Sequence, residues 1–491
     1  MPDWLRQRAR LSPDRPALVC GERWTFAELD REVGAAAARL AAAGVRSGGR
    51  VALLAWNSAG FAQVVHAIAR LGAVLVPLNA RLAEPELRWQ VEDVEAAALI
   101  YDEANTDRAT ALREACLATR AVGMGEVVGG GNEGVSLEAA PEPRFRLSAV
   151  HSIVYTSGTS GSPKGAMLTY GNHLWSATGS VLNLGLRSDD RWLACLPLFH
   201  VGGLAILLRS VIYGIPAVVH ESFEPIVVNR AIDEDGVTIV SVVGAMLQRI
   251  LDVRGDRPYP PTLRCVLVGG GPVPRSLLEE CAQRGMPVVQ TYGLTEAASQ
   301  VATLAPDDAP RKLGSAGKPL FATKVRVQGD DSGVLPAGVP GEIAVRGPTV
   351  MAGYYHRPEE TARVLRNGWL HTGDVGYLDD EGYLYVLDRR ADLIISGGEN
   401  VYPAQVEAVL AAHPAVEEAG VTGLPDEQWG QTVAALVKLR RGARASEEEL
   451  RAFCRERLAG YKVPVAVRFV DELPRNAQGK LVRRALREGL L

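Results

Sequence analysis

Cysteine is scarce in this chain and never paired at short range. The six residues, Cys20, Cys116, Cys195, Cys265, Cys281 and Cys454, form no C-x-x-C and no cluster with the eight histidines. That scatter argues against a disulfide framework or a cysteine-built metal site, and predicts small buried thiols in a reducing compartment. A surplus of charge is missing too: 53 basic against 57 acidic residues leave a net charge of -4, with no general attraction to nucleic acid or anionic membrane. The opening Met-Pro-Asp-Trp-Leu-Arg-Gln-Arg-Ala-Arg lacks an apolar signal core, so the expected location is cytoplasmic. Long apolar runs are absent. Leu193 to Leu208 comes nearest, yet it contains Pro197, His200, Gly202 and Gly203 and stops at Arg209, too short for a membrane span. It reads as buried core.

Two common nucleotide signatures are also lacking. Lys164 is preceded by Pro163 and followed by Gly165 instead of the Ser or Thr of a Walker A loop, which disfavours an ordinary P-loop NTPase. Gly269-Gly-Gly-Pro272 ends a strand but does not have the G-x-G-x-x-G spacing of a dinucleotide fold.

What the chain does have is Tyr155-Thr-Ser-Gly-Thr-Ser-Gly-Ser-Pro-Lys-Gly165, a loop of hydroxyls, glycines and one lysine. Glycines let backbone N–H groups curl around an anion, hydroxyls add donors, and Lys164 adds a compact positive charge. Such segments are usually plain surface loops. Here a short strand, Ser152 to Tyr155, precedes the loop and a helix is expected from Leu168 onward, the place where α/β folds bind ligands.

At 491 residues the chain exceeds a single core, and 47% hydrophobic against 22% charged residues is globular composition. In the first third, apolar runs (Val51 to Ala55, Ala73 to Pro77, Ala97 to Tyr101) alternate with helical patterns (Gly60 to Leu71, Glu84 to Val94), which predicts βαβ units and a largely parallel sheet. An Ala-rich helix is expected over Val33 to Ala43, closed by Gly44. Gly129 to Gly134 reads as a connector, and no internal repeat is visible. Near residue 370 the pattern changes. Val375 to Leu378 and Tyr383 to Leu387 flank the turn residues Asp379-Asp-Glu-Gly382, so a hairpin is predicted that brings Asp374 beside Asp388 and Arg389. A βαββαβ order follows (393–396, 403–412, 417–421, 433–439, 447–458, 466–470), with Ser446 and Glu449 as a capping box and Gly460 after the helix end. The expected fold is therefore α/β: a large N-terminal domain of layered sheets and helices, residues 1–388, and a small C-terminal α+β domain, residues 389–491.

Candidate chemistry gathers at strand ends. In Tyr292-Gly-Leu-Thr-Glu296, Glu296 is a candidate cation ligand, Thr295 a phosphate donor and Tyr292 a base-stacking ring. Gly269 to Gly271 would permit close ligand approach. Asp374 of His371-Thr-Gly-Asp is as readily a turn aspartate, and Arg389, Arg390 and Lys480 are as readily solvated.

Together, YTSGTSGSPKG, YGLTE, HTGD, DRRADLIISGGENVYP and PRNAQGK occur in the order and spacing of the adenylate-forming acyl-CoA synthetase superfamily, which the chain resembles along essentially its whole length. Within it, LPLFHVGGLAILLRSVIYG, KLGSAGKPLF and SGGENVYPAQVE resemble the 2-succinylbenzoate ligases of menaquinone biosynthesis more than fatty-acid or acetate ligases. The resemblance implies that Thr156, Ser157, Gly158, Thr159, Ser160 and Lys164 surround the phosphates of ATP. Tyr292 would cover the adenine with Gly270 and Gly271 nearby, Thr291 and Gly293 would also bind ATP, Asp374 would hold the ribose, and Arg389 would contact the same nucleotide. Thr295 and Glu296 would serve phosphate and Mg2+, and Lys480 would complete adenylation. Gly397, Gly398 and Glu399 would line the path of CoA, and the small domain would be mobile about Ala391. Ser160 replaces the threonine of many relatives, and Ala391 stands where they often have Asp or Lys.

The implied reaction activates a carboxylate as an acyl-adenylate, which CoA then attacks, releasing AMP. A succinylbenzoate pocket must accept a second carboxylate. Arg209, after its long uncharged run, is the candidate partner, with His200 and Ser299 as further acid contacts; the alternative readings are a helix-end arginine and a core histidine. Competing functions are a ligase for another aromatic or medium-chain acid, a module loading a carrier protein, and a silent nucleotide-binding protein. The expected partners are the small molecules alone; a homodimer is left open.

Overall fold

Buried parallel strands need no polar face, so they read as short continuous apolar runs. Arg50–Leu54 and Val74–Leu78 are such runs, and all but Arg50 are buried. The computed structural model describes residues 3–116, 119–129, 145–156, 163–271, 273, 275–329, 333–388, 393–474 and 483–490. The chain divides into two compact units. The first comprises Met1–Ala80, Val91–Val154 and Gly165–Asp388, the second Arg81–Gln90, Tyr155–Lys164 and Arg389–Leu491.

The alternation predicted for the first third is realised in one sheet, and a second sheet follows the same plan. A seven-stranded sheet has the order Gly353–Tyr354, Lys164–Thr169, Val150–Thr156, Val74–Leu78, Arg50–Leu54, Ala98–Tyr101, Arg120–Gly123. From Val150–Thr156 onward its neighbours run parallel. A nine-stranded sheet has a parallel centre (Pro16–Cys20, Ala217–Val219, Trp192–Ala194, Ile239–Val242, Cys265–Val268, Val288–Tyr292) with antiparallel strands at both edges. Leu193 to Leu208 supplies a central strand and most of a buried helix, Val201–Tyr213, as its lack of charge predicted. No helix is long and apolar enough to cross a membrane among the described residues.

A third sheet is antiparallel and contains the predicted hairpin. Trp369–Leu378 pairs Leu384–Asp388, with Val375 opposite Asp388, so Asp374 does lie beside that strand's end. Arg389 lies outside the described residues. The Ala-rich helix is longer than predicted, Phe26–Ala42. It starts at a capping box in which Thr25 Oγ1 accepts from the Glu28 N–H and Glu28 Oε2 from the Thr25 N–H.

In the second unit, Ile394–Ser396, Val416–Asp426, Gly430–Leu439 and Ala466–Phe469 form a sheet over the helices Pro403–Ala411 and Glu447–Arg455. The βαββαβ order needs one correction: Glu399–Val401 is an extra strand paired antiparallel to Ile394–Ser396. Ser396 faces Glu399 across a two-residue Gly397-Gly398 turn, both with φ near +60° to +80°, the conformation a tight hairpin demands. The Ser446–Glu449 capping box is present, but the helix ends at Arg455, well before Gly460.

Candidate active site

At the end of the strand Val288–Tyr292, the chain turns through Gly293 into a single helical turn, Thr295–Ala297. A Cβ on Gly293 would sit 1.5 Å from the Ser299 carbonyl oxygen, so only glycine lets the turn close. Tyr292, at the strand end, donates its hydroxyl to Asp374 Oδ2 at 2.6 Å. Asp374 is 2% exposed, and its backbone is fixed by its neighbours: its N–H donates to Thr372 Oγ1 at 3.0 Å, and that hydroxyl donates to the Ile343 carbonyl at 2.7 Å. The Gly373 N–H reaches Glu342 Oε1, and Glu342 Oε2 lies 2.9 Å from His371 Nδ1. The HTGD segment thus presents one buried carboxylate on a tied-down strand.

Glu296 is also buried. Its Oε1 accepts from the Tyr354 hydroxyl at 2.8 Å, and its carbonyl from the Met351 N–H. Tyr354 was not foreseen, because a tyrosine 58 positions away carries no local signal. No group of three His, Cys, Asp or Glu side chains among the described residues could hold a metal ion. A single hard carboxylate such as Glu296 suits Mg2+, which keeps several waters and is bound largely through substrate phosphates.

Arg209 lies in the helix Val201–Tyr213 and is 3% exposed. Its Nη2 donates to Ser176 Oγ at 3.1 Å and its guanidinium carbon lies 5.5 Å from the centre of the Trp192 ring. Among the described residues no carboxylate pairs with it, and burial pulls its pKa below the ordinary value. An arginine stays charged regardless, so this is a buried cation that calls for an anion. Ser176, on the helix Tyr170–Leu184, donates in turn to the Ala298 carbonyl at 2.6 Å. His173, on the same helix, is pushed down to about 3, first by burial and then by Arg209, and so stays neutral. Sequence reading missed Ser176; its place at helical spacing from buried His173, Ala177 and Ser180 marks only an inward face.

The other candidates divide. Ser299 directly follows Ala298, both with positive φ. His200 flanks the start of the Arg209 helix, its ring edge-on to Phe199 at 4.8 Å. Gly270, with φ +83°, and Gly271 follow the strand Cys265–Val268. The Thr291 hydroxyl is engaged by the edge strand, at 3.0 Å from the Ala302 carbonyl and 2.8 Å from Thr303 Oγ1. In the second unit, Thr156 ends one strand and Lys164 opens the next. There too, Gly397 and Gly398 form the hairpin turn and Glu399 Oε1 accepts from Arg81 Nη1 at 2.6 Å. Ser157, Gly158, Thr159, Ser160, Arg389, Ala391 and Lys480 lie outside the described residues.

One buried carboxylate on the strand Trp369–Leu378 and another just past the strand Val288–Tyr292, beside glycines that admit a ligand, define a nucleotide-binding α/β enzyme. Residues 5–355 match the AMP-binding enzyme family and residues 405–480 the AMP-binding enzyme C-terminal domain; the chain belongs to this family. It is 54% identical to a 2-succinylbenzoate–CoA ligase of Geobacillus kaustophilus over 99% of this chain and 97% of that one. Among solved structures it resembles the o-succinylbenzoate CoA synthetase of Bacillus subtilis at 44% identity. The form bound to a product analogue, a double mutant, gives a TM-score of 0.92 and covers 99% of this chain and 98% of that one. The form with ATP and magnesium gives 0.74, covering 99% of each.

Proposed function

We infer that this chain is an ATP-dependent, AMP-forming ligase that joins 2-succinylbenzoate to CoA through an acyl-adenylate, a step of menaquinone biosynthesis. The observation that carries the acid specificity is Arg209: a buried guanidinium without a carboxylate partner among the described residues, which suits a diacid substrate. The whole-length likeness to 2-succinylbenzoate–CoA ligases supports the same substrate.

A carboxylate resists thiols because it is anionic and lacks a leaving group. Attack on the α-phosphate of ATP expels pyrophosphate and yields a mixed anhydride; CoA then attacks the acyl carbon and expels AMP. The first step joins two anions, so catalysis is positioning and charge compensation, with no protein nucleophile needed. Asp374, steadied by Tyr292, holds the ribose hydroxyls with Arg389. Gly270, Gly271, Thr291, Tyr292 and Gly293 shape the adenine side. Thr156 to Ser160, Lys164 and Thr295 receive the phosphates. Glu296 holds Mg2+, which offsets phosphate charge, and Lys480 completes adenylation. His200 and Ser299 contact the acid, and Gly397, Gly398 and Glu399 take the thiol arm of CoA. In this reading residues 1–388 bind ATP and acid, residues 389–491 carry Lys480 and the CoA-side turn, and Ala391 is the hinge. The cytoplasm, which holds ATP and CoA, suits a chain in which Cys20, Cys195, Cys265, Cys281 and Cys454 are free thiols.

The test is a coupled assay with 2-succinylbenzoate, ATP and CoA that scores pyrophosphate and thioester together. Both should appear in equal amounts. Pyrophosphate release driven better by another aryl or medium-chain acid would assign that acid instead. In the same assay, Lys480→Ala should abolish adenylation but spare thioester formation from preformed acyl-adenylate.

A further inference from the structure

We propose that Ser176 is a positioning residue for acid selection, tying Arg209 to the turn that follows Thr295 and Glu296; this rests on Arg209 as the partner of the second carboxylate. A serine hydroxyl has one proton to give. Here the proton goes to the Ala298 carbonyl at 2.6 Å, and the oxygen's lone pair faces Arg209 Nη2 at 3.1 Å. The direction is fixed, because a guanidinium cannot accept. Ser176 and Arg209 are each 3% exposed and Ala298 1%, so the relay is buried throughout.

The turn it reaches is strained. Ala298 and Ser299 have φ of +52° and +91°, left-handed conformations that non-glycine residues keep only where their surroundings hold them. The same Ser299 carbonyl packs against Gly293. One hydroxyl therefore serves two ends: it orients the guanidinium fork and anchors the turn bearing Ser299. Around it, Tyr213 donates to the Ala177 carbonyl, and neutral His173 adds no second cation to compete for an anion. Removing the hydroxyl strips a partner from both Arg209 and Ala298 at once.

The experiment compares 2-succinylbenzoate with 4-oxo-4-phenylbutanoate, which lacks the ring carboxylate. Losing a hydrogen bond to a charged group should make Ser176→Ala raise KM for the diacid about tenfold, with KM for the monoacid and ATP changed less than about twofold. Ser176→Thr, which keeps a hydroxyl, should restore the diacid. Ser176→Cys, a weaker donor of similar size, should fall between, and it carries the test if the alanine variant does not fold. Because Ser176 orients Arg209, the Arg209→Ala/Ser176→Ala double variant should lose clearly less on the diacid than the two single losses combined. Equal losses on both acids, or additive effects, would reduce Ser176 to packing. If Arg209→Ala itself leaves the diacid preference intact, the reading of Arg209 fails, whatever Ser176→Ala does.

Discussion

The Tyr354 hydroxyl, 2.8 Å from Glu296 Oε1, fixes the rotation of a carboxylate that is itself 4% exposed. A metal ligand on a free-swinging side chain binds less well than one held in place, and such supporting partners typically cost about 10–100-fold when lost. Tyr354→Phe should therefore raise the Mg2+ concentration for half-maximal pyrophosphate release by about tenfold, with KM for the acid unchanged. Magnesium titrations at fixed ATP check this, and an unaltered Mg2+ curve would leave Tyr354 as packing only. At this scale the sequence was half legible. Glu296 and Asp374 stood out through the YGLTE and HTGD motifs shared with the adenylate-forming superfamily, since in isolation each reads as readily as a loop or turn residue. Tyr354 and Ser176 were invisible, since each earns its place through a partner far along the chain.

The turn at Gly293 shows how an element enforces a site. With a Cβ placed 1.5 Å from the Ser299 carbonyl oxygen, Gly293→Ala cannot be accommodated without reopening the segment that holds Thr295 and Glu296. Adenylation should fall by at least about a hundredfold, the scale expected when catalytic groups shift by roughly an ångström. Circular dichroism and urea melts should still report a folded protein; if activity survives, the turn does not set the geometry. Elements were most legible where pattern and punctuation agreed, as in the hairpin at Asp379 to Gly382. Where they were misread, the signal was present but outweighed. Thr25 and Glu28 mark the start of a helix whose alanines drew the predicted boundary inward to Val33, and the strand Glu399–Val401 that follows the Gly397-Gly398 turn was not foreseen.

Across the whole molecule, the histidines His66, His151 and His173 are buried and kept neutral. Burial pushes His66 down to about 4 and His173 to about 3, and holds His151 well below the ordinary value. A histidine protonates at about pH 6.5 when unfolded, so below that pH the unfolded chain binds protons that the folded chain refuses. Stability should be complete above about pH 6.5 and be lost as pH falls toward 4, by up to about 1.4 kcal/mol per pH unit for each histidine. Urea melts across that range test the slope, and His173→Asn should remove about one proton's share of it. A flat profile down to about pH 5 would contradict the assignment.

Arg209, buried with no carboxylate partner among the described residues, has one more consequence. Leaving a guanidinium buried without an anion makes the empty protein less stable than it need be, while a ligand that supplies the anion stabilises the folded form by mass action. Arg209→Met should then melt at a higher temperature than the parent when both are empty, yet gain little on adding diacid, whereas the parent should gain several degrees. Selection for robustness and selection for this substrate would pull position 209 in opposite directions. A melting curve with and without 2-succinylbenzoate turns that conflict into a specificity assay that needs no turnover.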